Sequence, residues 1–365
     1  MGFKCGIVGL PNVGKSTIFN AITNAGAEAA NYPFCTIEPN VGMVSVPDAR
    51  LDKLVEVYKP KSIVPAVTEF VDIAGLVKGA SQGEGLGNQF LTHIRECEAI
   101  MEVVRCFEDE NIVHVHGSVD PVRDVEIIET ELLLKDLDTV EKKVASETKA
   151  ARTGNAEAKA RLAAAEKLKA GMSEGMAARK FIGDSDEMDD ILKDMGLLTA
   201  KPLFYCANVK EDDILTGNSY VETLKEYAAK NGHEVIMISG KIEEELSQME
   251  PEEKKEFLQE LGMKESGLDA VVRKGYDILG LRTFLTAGEK ECRAWTFHAG
   301  FKAPQCAGVI HTDFERGFIR AETLAYDDFV KCGSWNAAKE QGLVRTEGKE
   351  YLVQDGDIMF FLFNV

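Results

Sequence analysis

Gly9-Leu10-Pro11-Asn12-Val13-Gly14-Lys15-Ser16 spells Gly-x4-Gly-Lys-Ser, and the residues on either side decide its meaning. Cys5-Gly6-Ile7-Val8 before it is short and apolar, as a buried strand is, and Ser16 to Thr23 after it carries helical spacing. A glycine-rich loop between a strand and a helix turns backbone N–H groups inward around a triphosphate. Lys15 reaches the outer phosphates and Ser16 offers its hydroxyl to Mg²⁺. Asn12, Val13, Gly14, Lys15, Ser16 and Thr17 are the expected phosphate-binding set, and the helix N-terminus adds its dipole to the anion site.

The chain of 365 residues, 45% hydrophobic, can bury a large core and divides into two or three domains. A net charge of -19 argues against global attraction to nucleic acid, so any such contact needs a local basic patch. Eight cysteines without a Cys-x-x-Cys pair read as reduced thiols, not a disulfide framework or a zinc site. With no leader-like N-terminus and no apolar run long enough for a bilayer, a cytoplasmic location without membrane association is expected.

Three further elements specify the kind of nucleotide site. Thr36 lies in a loop bracketed by Pro33 and Pro39, after the first helix, where switch proteins place the threonine that completes the Mg²⁺ shell. Val67-Thr68-Glu69-Phe70-Val71-Asp72 is a second buried strand ending in Asp72-Ile73-Ala74-Gly75. There Asp72 acts on the metal and the Gly75 amide senses the γ-phosphate. Position 76 is Leu, where a Ras-like GTPase carries the glutamine that orients the attacking water. Hydrolysis is therefore slow or assisted by another group; His93, His114 and His116 are the candidates, His114 foremost, in a loop beyond a strand's carboxyl end. Four glycines between Gly79 and Gly87 make that segment costly to order and suited to two nucleotide-dependent states.

Pro202 to Ala207 is a strand that leads into Asn208-Val209-Lys210-Glu211. Guanine-specific switches read Asn-Lys-x-Asp here, the aspartate accepting from both N1–H and the N2 amine. Glu211, one methylene longer, cannot take that pose without pushing the base outward. The Asn208 amide and the backbone around Val209 can pair with adenine instead, so ATP is favoured over GTP.

Taken together, Asn12 to Thr17, Asn31 to Asn40 and Asp72 to Ser81 resemble the YchF branch of the Obg-related proteins, the Obg-like ATPases. The similarity covers nearly the whole chain. It implies ATP hydrolysis without the glutamine, association with ribosomes, and a role in translation or stress control. A histidine has been proposed to replace the glutamine in that family, which favours His114. Asn12 is similar to the asparagine with which some relatives hold an activating K⁺.

The implied fold class is α/β: a P-loop NTPase domain, a mostly parallel sheet with helices on both faces, over 1–120 and 200–280. Over 121–199 an inserted helical hairpin is expected, since Leu133, Leu137, Val140 and Val144 form a one-sided seam and Gly154-Asn155 breaks it. Residues 142–180 carry ten Lys or Arg against four Glu, which points to an RNA or ribosome contact. The strand-rich segment 281–365 resembles a TGS domain, a β-grasp module, which also implies an RNA- or ribosome-facing role. Two other readings stay open: a GTPase of the same architecture, and a nucleotide-dependent ribosome- or nucleic-acid-binding protein with incidental hydrolysis. Nothing in the sequence demands more than a monomer.

Overall fold

A computed structural model describes residues 3–26, 40–73, 95–152 and 154–364. Thr36, Gly75, Leu76, His93 and the glycine-rich run 79–87 lie outside the described residues. The first sheet has the order β2-β4-β1-β5-β6-β7. β1 (Phe3–Val8), β4 (Val67–Asp72), β5 (Ala99–Arg105), β6 (Leu203–Asn208) and β7 (Val235–Ile238) run parallel, and β2 (Val41–Ser45) pairs antiparallel with β4 at the edge. β1, β5 and β6 read as near-continuous apolar runs because helices cover both faces of a parallel sheet. Every residue of β5 and β6 is buried.

α1 (Lys15–Gly26) starts within the phosphate loop, and α2 (Ala49–Tyr58) is capped by Asp48, whose side chain accepts from Arg50 N. α3 (Pro121–Ala151) opens on Asp120, which accepts from Arg123 N, with Pro121 at its first position, where the ring costs no hydrogen bond. α4 (Ala156–Ser173) returns along it after Asn155, which caps through Glu157 N. The seam of the hairpin is the one read from the sequence. Val140 is fully buried among Ala165, Leu168 and Met172, with Leu133, Leu137 and Val144 packed against them.

The electrostatic reading of this hairpin needs correction. An acidic helix, α5 (Asp186–Met195), packs onto it, and Asp194 of that helix, Asp184 before it and glutamates of the hairpin itself take up part of the basic excess. Lys143 and Arg161 both reach Glu147 and Asp194, Lys167 meets Asp184, and Lys169 meets Glu141. A charge count stopped at residue 180 omits Asp184, Asp186, Glu187, Asp189, Asp190 and Asp194, which follow at once. Exposed cations that enter no ion pair among the described residues remain toward the turn of the hairpin: Lys142, Lys149, Arg152 and Lys159.

α6 (Ser219–Asn231) and α7 (Gly240–Leu246) flank β7, and α8 (Pro251–Glu260) and α9 (Gly267–Ile278) lead out of the first sheet. The second sheet has the order β11-β10-β12-β8-β9-β3. β8 (Leu281–Ala287), β9 (Glu291–His298) and β12 (Ile358–Phe363) match the strands read from the sequence, and β10 (Phe318–Leu324) and β11 (Arg345–Glu347) complete one side. β3 (Ser62–Val64), more than two hundred residues upstream, pairs with β9 and is the other edge. Phe284, Phe297, Phe318 and Phe361 form the core of this unit with α10 (Ala303–Ile310), and Trp295 and Phe301 pack against it. Arg50 of α2, bonded to Asp48 and to Asp355 at 2.8 Å each, and Tyr58, stacked on Phe329, bind the two units together. Among the described residues no helix is long and apolar enough to cross a membrane.

Glu243 of α7 accepts from Gly267 N at 2.8 Å and so ties α7 to the start of α9. Burial pushes its carboxyl up to about 7, against the pull of the Gly267 and Leu268 N–H groups. The folded chain therefore holds this proton more tightly than the unfolded chain. The resulting stability is present in full below about 4.5 and is lost as pH rises through about 7. Glu243→Gln should flatten that segment of the stability–pH curve and stabilise the protein at pH 8 by on the order of 2–3 kcal/mol. Urea unfolding of both forms at pH 5 and pH 8 checks it; parallel curves would refute it.

Candidate functional site

The phosphate loop lies at the carboxyl end of β1 and shares a cavity of about 850 Å³ with the loops after β5, β6 and β7. Leu10, Asn12, Lys15, Ser16 and Thr17 line one side, and Phe107, Asn208, Val209, Ser239 and Lys241 the other. This is the carboxyl edge of a parallel sheet, where open α/β folds hold their ligands. Lys15, Ser16 and Thr17 begin α1, so their N–H groups have no carbonyl one turn behind them and are free for an anion.

Asn208 holds the cavity together. It is 4% exposed; its Nδ2 donates to Val13 O at 2.9 Å and its Oδ1 accepts from Gly240 N at 3.0 Å. Gly14, at φ +95°, passes so close that an added Cβ would lie 2.1 Å from Asn208 Nδ2. The motif glycine is required twice, by its backbone angle and by the amide beneath it. This revises the role read for Asn208. With one bond to Gly240 and one to Val13, it has one oxygen lone pair and one amide hydrogen left to offer. Val209 lines the cavity but is 3% exposed and donates its N–H to Ile238 O at 2.8 Å. Only its side chain and carbonyl are left for a base.

Glu211 is bonded to Lys241 through both oxygens, at 2.8 and 3.0 Å, across the mouth of the cavity. The hydrogen bond it donates to Glu211 holds the Lys241 ammonium above its ordinary range. A carboxylate engaged this way is a poor reader of the two donors of guanine.

Lys15 Nζ contacts Asp72 Oδ1, and both side chains are largely withdrawn from solvent. The contact shows that the carboxylate at the end of β4 faces the phosphate loop and takes a cation there. The exposed Ser16 hydroxyl forms no hydrogen bond among the described residues. A hydroxyl and a carboxylate are hard oxygen donors that suit Mg²⁺. Asn12, at φ 63°, donates its Nδ2 to Val113 O at 3.1 Å, which leaves its Oδ1 turned to other partners.

His114 does not have the freedom that the sequence reading gave it. Its Nε2 lies 2.8 Å from Asp124 Oδ2, and both side chains are buried. Its Nδ1 accepts from His116 N at 3.2 Å. Both ring nitrogens have protein partners here, and through them His114 fastens the loop to the first turn of α3. Sequence alone could not show this, because Asp124 reads only as a first-turn helix acid.

Two residues of the site carried no such signal in the sequence. Arg105, 1% exposed at the end of β5, donates to Phe107 O at 3.0 Å, Ile112 O at 2.9 Å and Asp109 O at 3.3 Å, and its guanidinium lies 4.7 Å from the Phe107 ring centre. Every hydrogen bond it makes goes to a main-chain carbonyl of the loop that walls the cavity. The Ser239 hydroxyl, 1% exposed, is buried beside the cavity without a partner among the described residues. An orphaned hydroxyl in a native core calls for a ligand or a water.

A phosphate loop, a carboxylate that faces it and a cavity at the carboxyl edge of a mostly parallel sheet define a P-loop nucleoside-triphosphate-binding protein. Residues 4–145 match a family model described as a 50S ribosome-binding GTPase. Residues 281–364 match the model for the C-terminal domain of YchF GTPases, described as a protein of unknown function. The ribosome-binding ATPase YchF of Bacillus subtilis is 55% identical over 367 residues, and that of Escherichia coli O157:H7 is 54% identical over 365, each covering 100% of both chains. The structure of the Schizosaccharomyces pombe YchF GTPase is 44% identical and superposes with a TM-score of 0.88 over 99% of this chain and 98% of that one. A GTP-binding protein of Pyrococcus horikoshii, at 19% identity and a TM-score of 0.62, shares the fold. The chain belongs to the YchF family.

Two substitutions separate these roles. His114→Ala should lower stability by about 1–3 kcal/mol by stripping Asp124 of a buried partner, while turnover per folded molecule stays within about twofold. A tenfold loss of turnover at unchanged melting temperature would return His114 to the reacting water. Arg105→Lys replaces a planar fork by a point charge and should weaken nucleotide binding about tenfold as the Phe107 to Ile112 wall loosens. Equilibrium titration with a fluorescent nucleotide measures it; unaltered affinity would show the wall to be self-supporting.

Proposed function

We propose that this chain is a Mg²⁺-dependent ATP hydrolase whose bound nucleotide governs its association with the ribosome. The observation that favours adenine is the Glu211–Lys241 pair, since the carboxylate that guanine would need is already engaged. The remaining Asn208 amide hydrogen offers a donor to an adenine ring nitrogen, and the Val209 carbonyl, to which nothing donates among the described residues, offers an acceptor to its amine. The orphaned Ser239 hydroxyl gains a partner when a base is present. The bacterial relatives carry the same activity in their names.

In this reading Lys15 and the loop amides neutralise the phosphates, and Ser16, Thr36 and Asp72 hold the metal, which when bound screens the β- and γ-oxygens. Lys15 then exchanges Asp72 for phosphate. Gly75 registers the γ-phosphate. Leu76 cannot orient a water, so intrinsic turnover is low. Asn12 Oδ1 is the ligand through which K⁺ would raise it. The exposed cations Lys142, Lys149, Arg152 and Lys159 are the part of the hairpin best suited to ribosomal RNA, and the C-terminal sheet, with ten Lys or Arg against twelve Asp or Glu, contributes shape more than charge.

Titration of the purified chain with ATP and GTP should give at least tenfold tighter ATP binding, and turnover should rise with ribosomes and in K⁺ relative to Na⁺. The reverse nucleotide preference would make the chain a GTPase. Equal rates in K⁺ and Na⁺ would remove the role of Asn12, and ribosome binding indifferent to nucleotide would remove the switch.

A further inference from the structure

The C-terminal sheet is two three-stranded halves joined at one point. β10 and β12 pair from Phe318↔Phe363 to Leu324↔Ile358, and β8 and β9 from Leu281↔His298 to Ala287↔Cys292. Between the halves, β8 and β12 run parallel and share a single register position, Leu285↔Ile358. On one side of that position the halves are stitched: Leu285 N donates to Asp357 O at 2.8 Å, Gly356 N to Thr283 O at 2.7 Å, and Thr283 N to Asp355 Oδ1 at 2.8 Å. On the other side the strands part. Thr286, Ala287, Met359, Phe360 and Phe361 there line a cavity of about 760 Å³.

The walls of this slot carry main-chain polarity. The hairpin bond from Gly288 N to Glu291 O, 3.0 Å, sets the alternation along β8, so the N–H and C=O of Ala287 point away from β9, toward β12. Asp357 O points at β8, so by the same alternation the Met359 carbonyl and the Phe361 N–H do too. The register records no pairing between them. The side chains divide by face, with Tyr58 and Trp335 on one and Trp295, Ile310 and Phe314 on the other. The charged residues lining the slot are both acidic: Glu291, without an ion pair among the described residues, and Glu322, 3.7 Å from Lys339.

We propose that this slot receives an extended peptide segment of a partner protein as an added strand between β8 and β12. Its main chain bonds Ala287 on one wall and Met359 and Phe361 on the other. Its apolar side chains alternate between the Tyr58–Trp335 face and the Trp295–Phe314 face, and a Lys or Arg lies beside Glu291 or Glu322. A compact apolar ligand would fill the volume and leave those main-chain groups unpaired, which is costly. A nucleic acid would bring phosphates against two carboxylates. An extended strand satisfies both walls and both faces at once, as strand-addition complexes do.

The test uses the full chain and an acetylated, amidated hexapeptide of four valines with a lysine at each end, which presents apolar side chains to both faces, carrying a fluorophore and followed by anisotropy. Saturable binding is expected. Of two versions N-methylated at the odd or the even positions, at least one should bind tenfold more weakly, because methylation removes the donors of one edge. The valine–glutamate counterpart and the Glu291→Lys variant should each lose at least fivefold, with ATP affinity unchanged as a check on folding. Absence of saturable binding overturns the proposal. Equal binding of all N-methylated versions would also overturn it, showing an apolar cavity and not a strand site, and so would equal binding of the acidic peptide together with an unaffected Glu291→Lys.

Discussion

The amide of Asn208 is the constraint on which the nucleotide site depends. With one oxygen and one nitrogen it joins the phosphate loop at Val13 to the loop after β7 at Gly240. Gly14 must lack a Cβ to let it pass. All three groups are buried, and a buried donor or acceptor without a partner costs about 1–3 kcal/mol. The three loops therefore take their positions together. Arg105 does the equivalent work for the fourth wall, holding the loop after β5 through three main-chain carbonyls. The cavity is thus shaped by polar groups facing inward from the ends of adjacent parallel strands.

Charge behaves differently in this chain than a linear count suggests. The ten cations between 142 and 180 are followed by a dense acidic run, and folding pairs five of them, Lys143, Arg161, Lys167, Lys169 and Arg179, with carboxylates of that run or of the hairpin. What remains exposed is concentrated near the turn. The same economy operates at the cavity beside the phosphate loop, where Lys241 engages Glu211. In both places the charges available to a partner are those left over after local pairing.

The C-terminal unit is bound to the nucleotide unit by more than its linker. β3 leaves the first unit to become an edge of the second sheet, while Arg50 and Tyr58 of α2 reach Asp355 and Phe329. The loop that carries Asn40 and β2 is followed within a few residues by these contacts, so a displacement of α2 is felt directly by the second sheet. The slot between β8 and β12 borders on Tyr58 itself.

Much of the site was legible in the order of the residues. The phosphate loop, the strand ending in Asp72, the hairpin seam and the strands β8, β9 and β12 are local patterns, written in glycine spacing and in apolar periods of two and three and a half. Asn208, Val209 and Glu211, read as one loop, line one cavity with the phosphate loop, but their hydrogen-bond partners are not written in that loop. Asn208 meets Val13 across 195 residues, and no local pattern says that its amide is spent there. His114 illustrates the same limit: its neighbour Asp124 is ten positions away, but only the fold of the loop onto α3 turns a free imidazole into a buried strut. β3 pairs with a strand more than two hundred residues away, which no local pattern announces. The sequence by itself determined the class of ligand, because the chemistry of phosphate and metal binding is carried by contiguous residues. The tertiary structure alone decided which polar groups are left to act, because that depends on pairings between segments brought together only when the sheet closes.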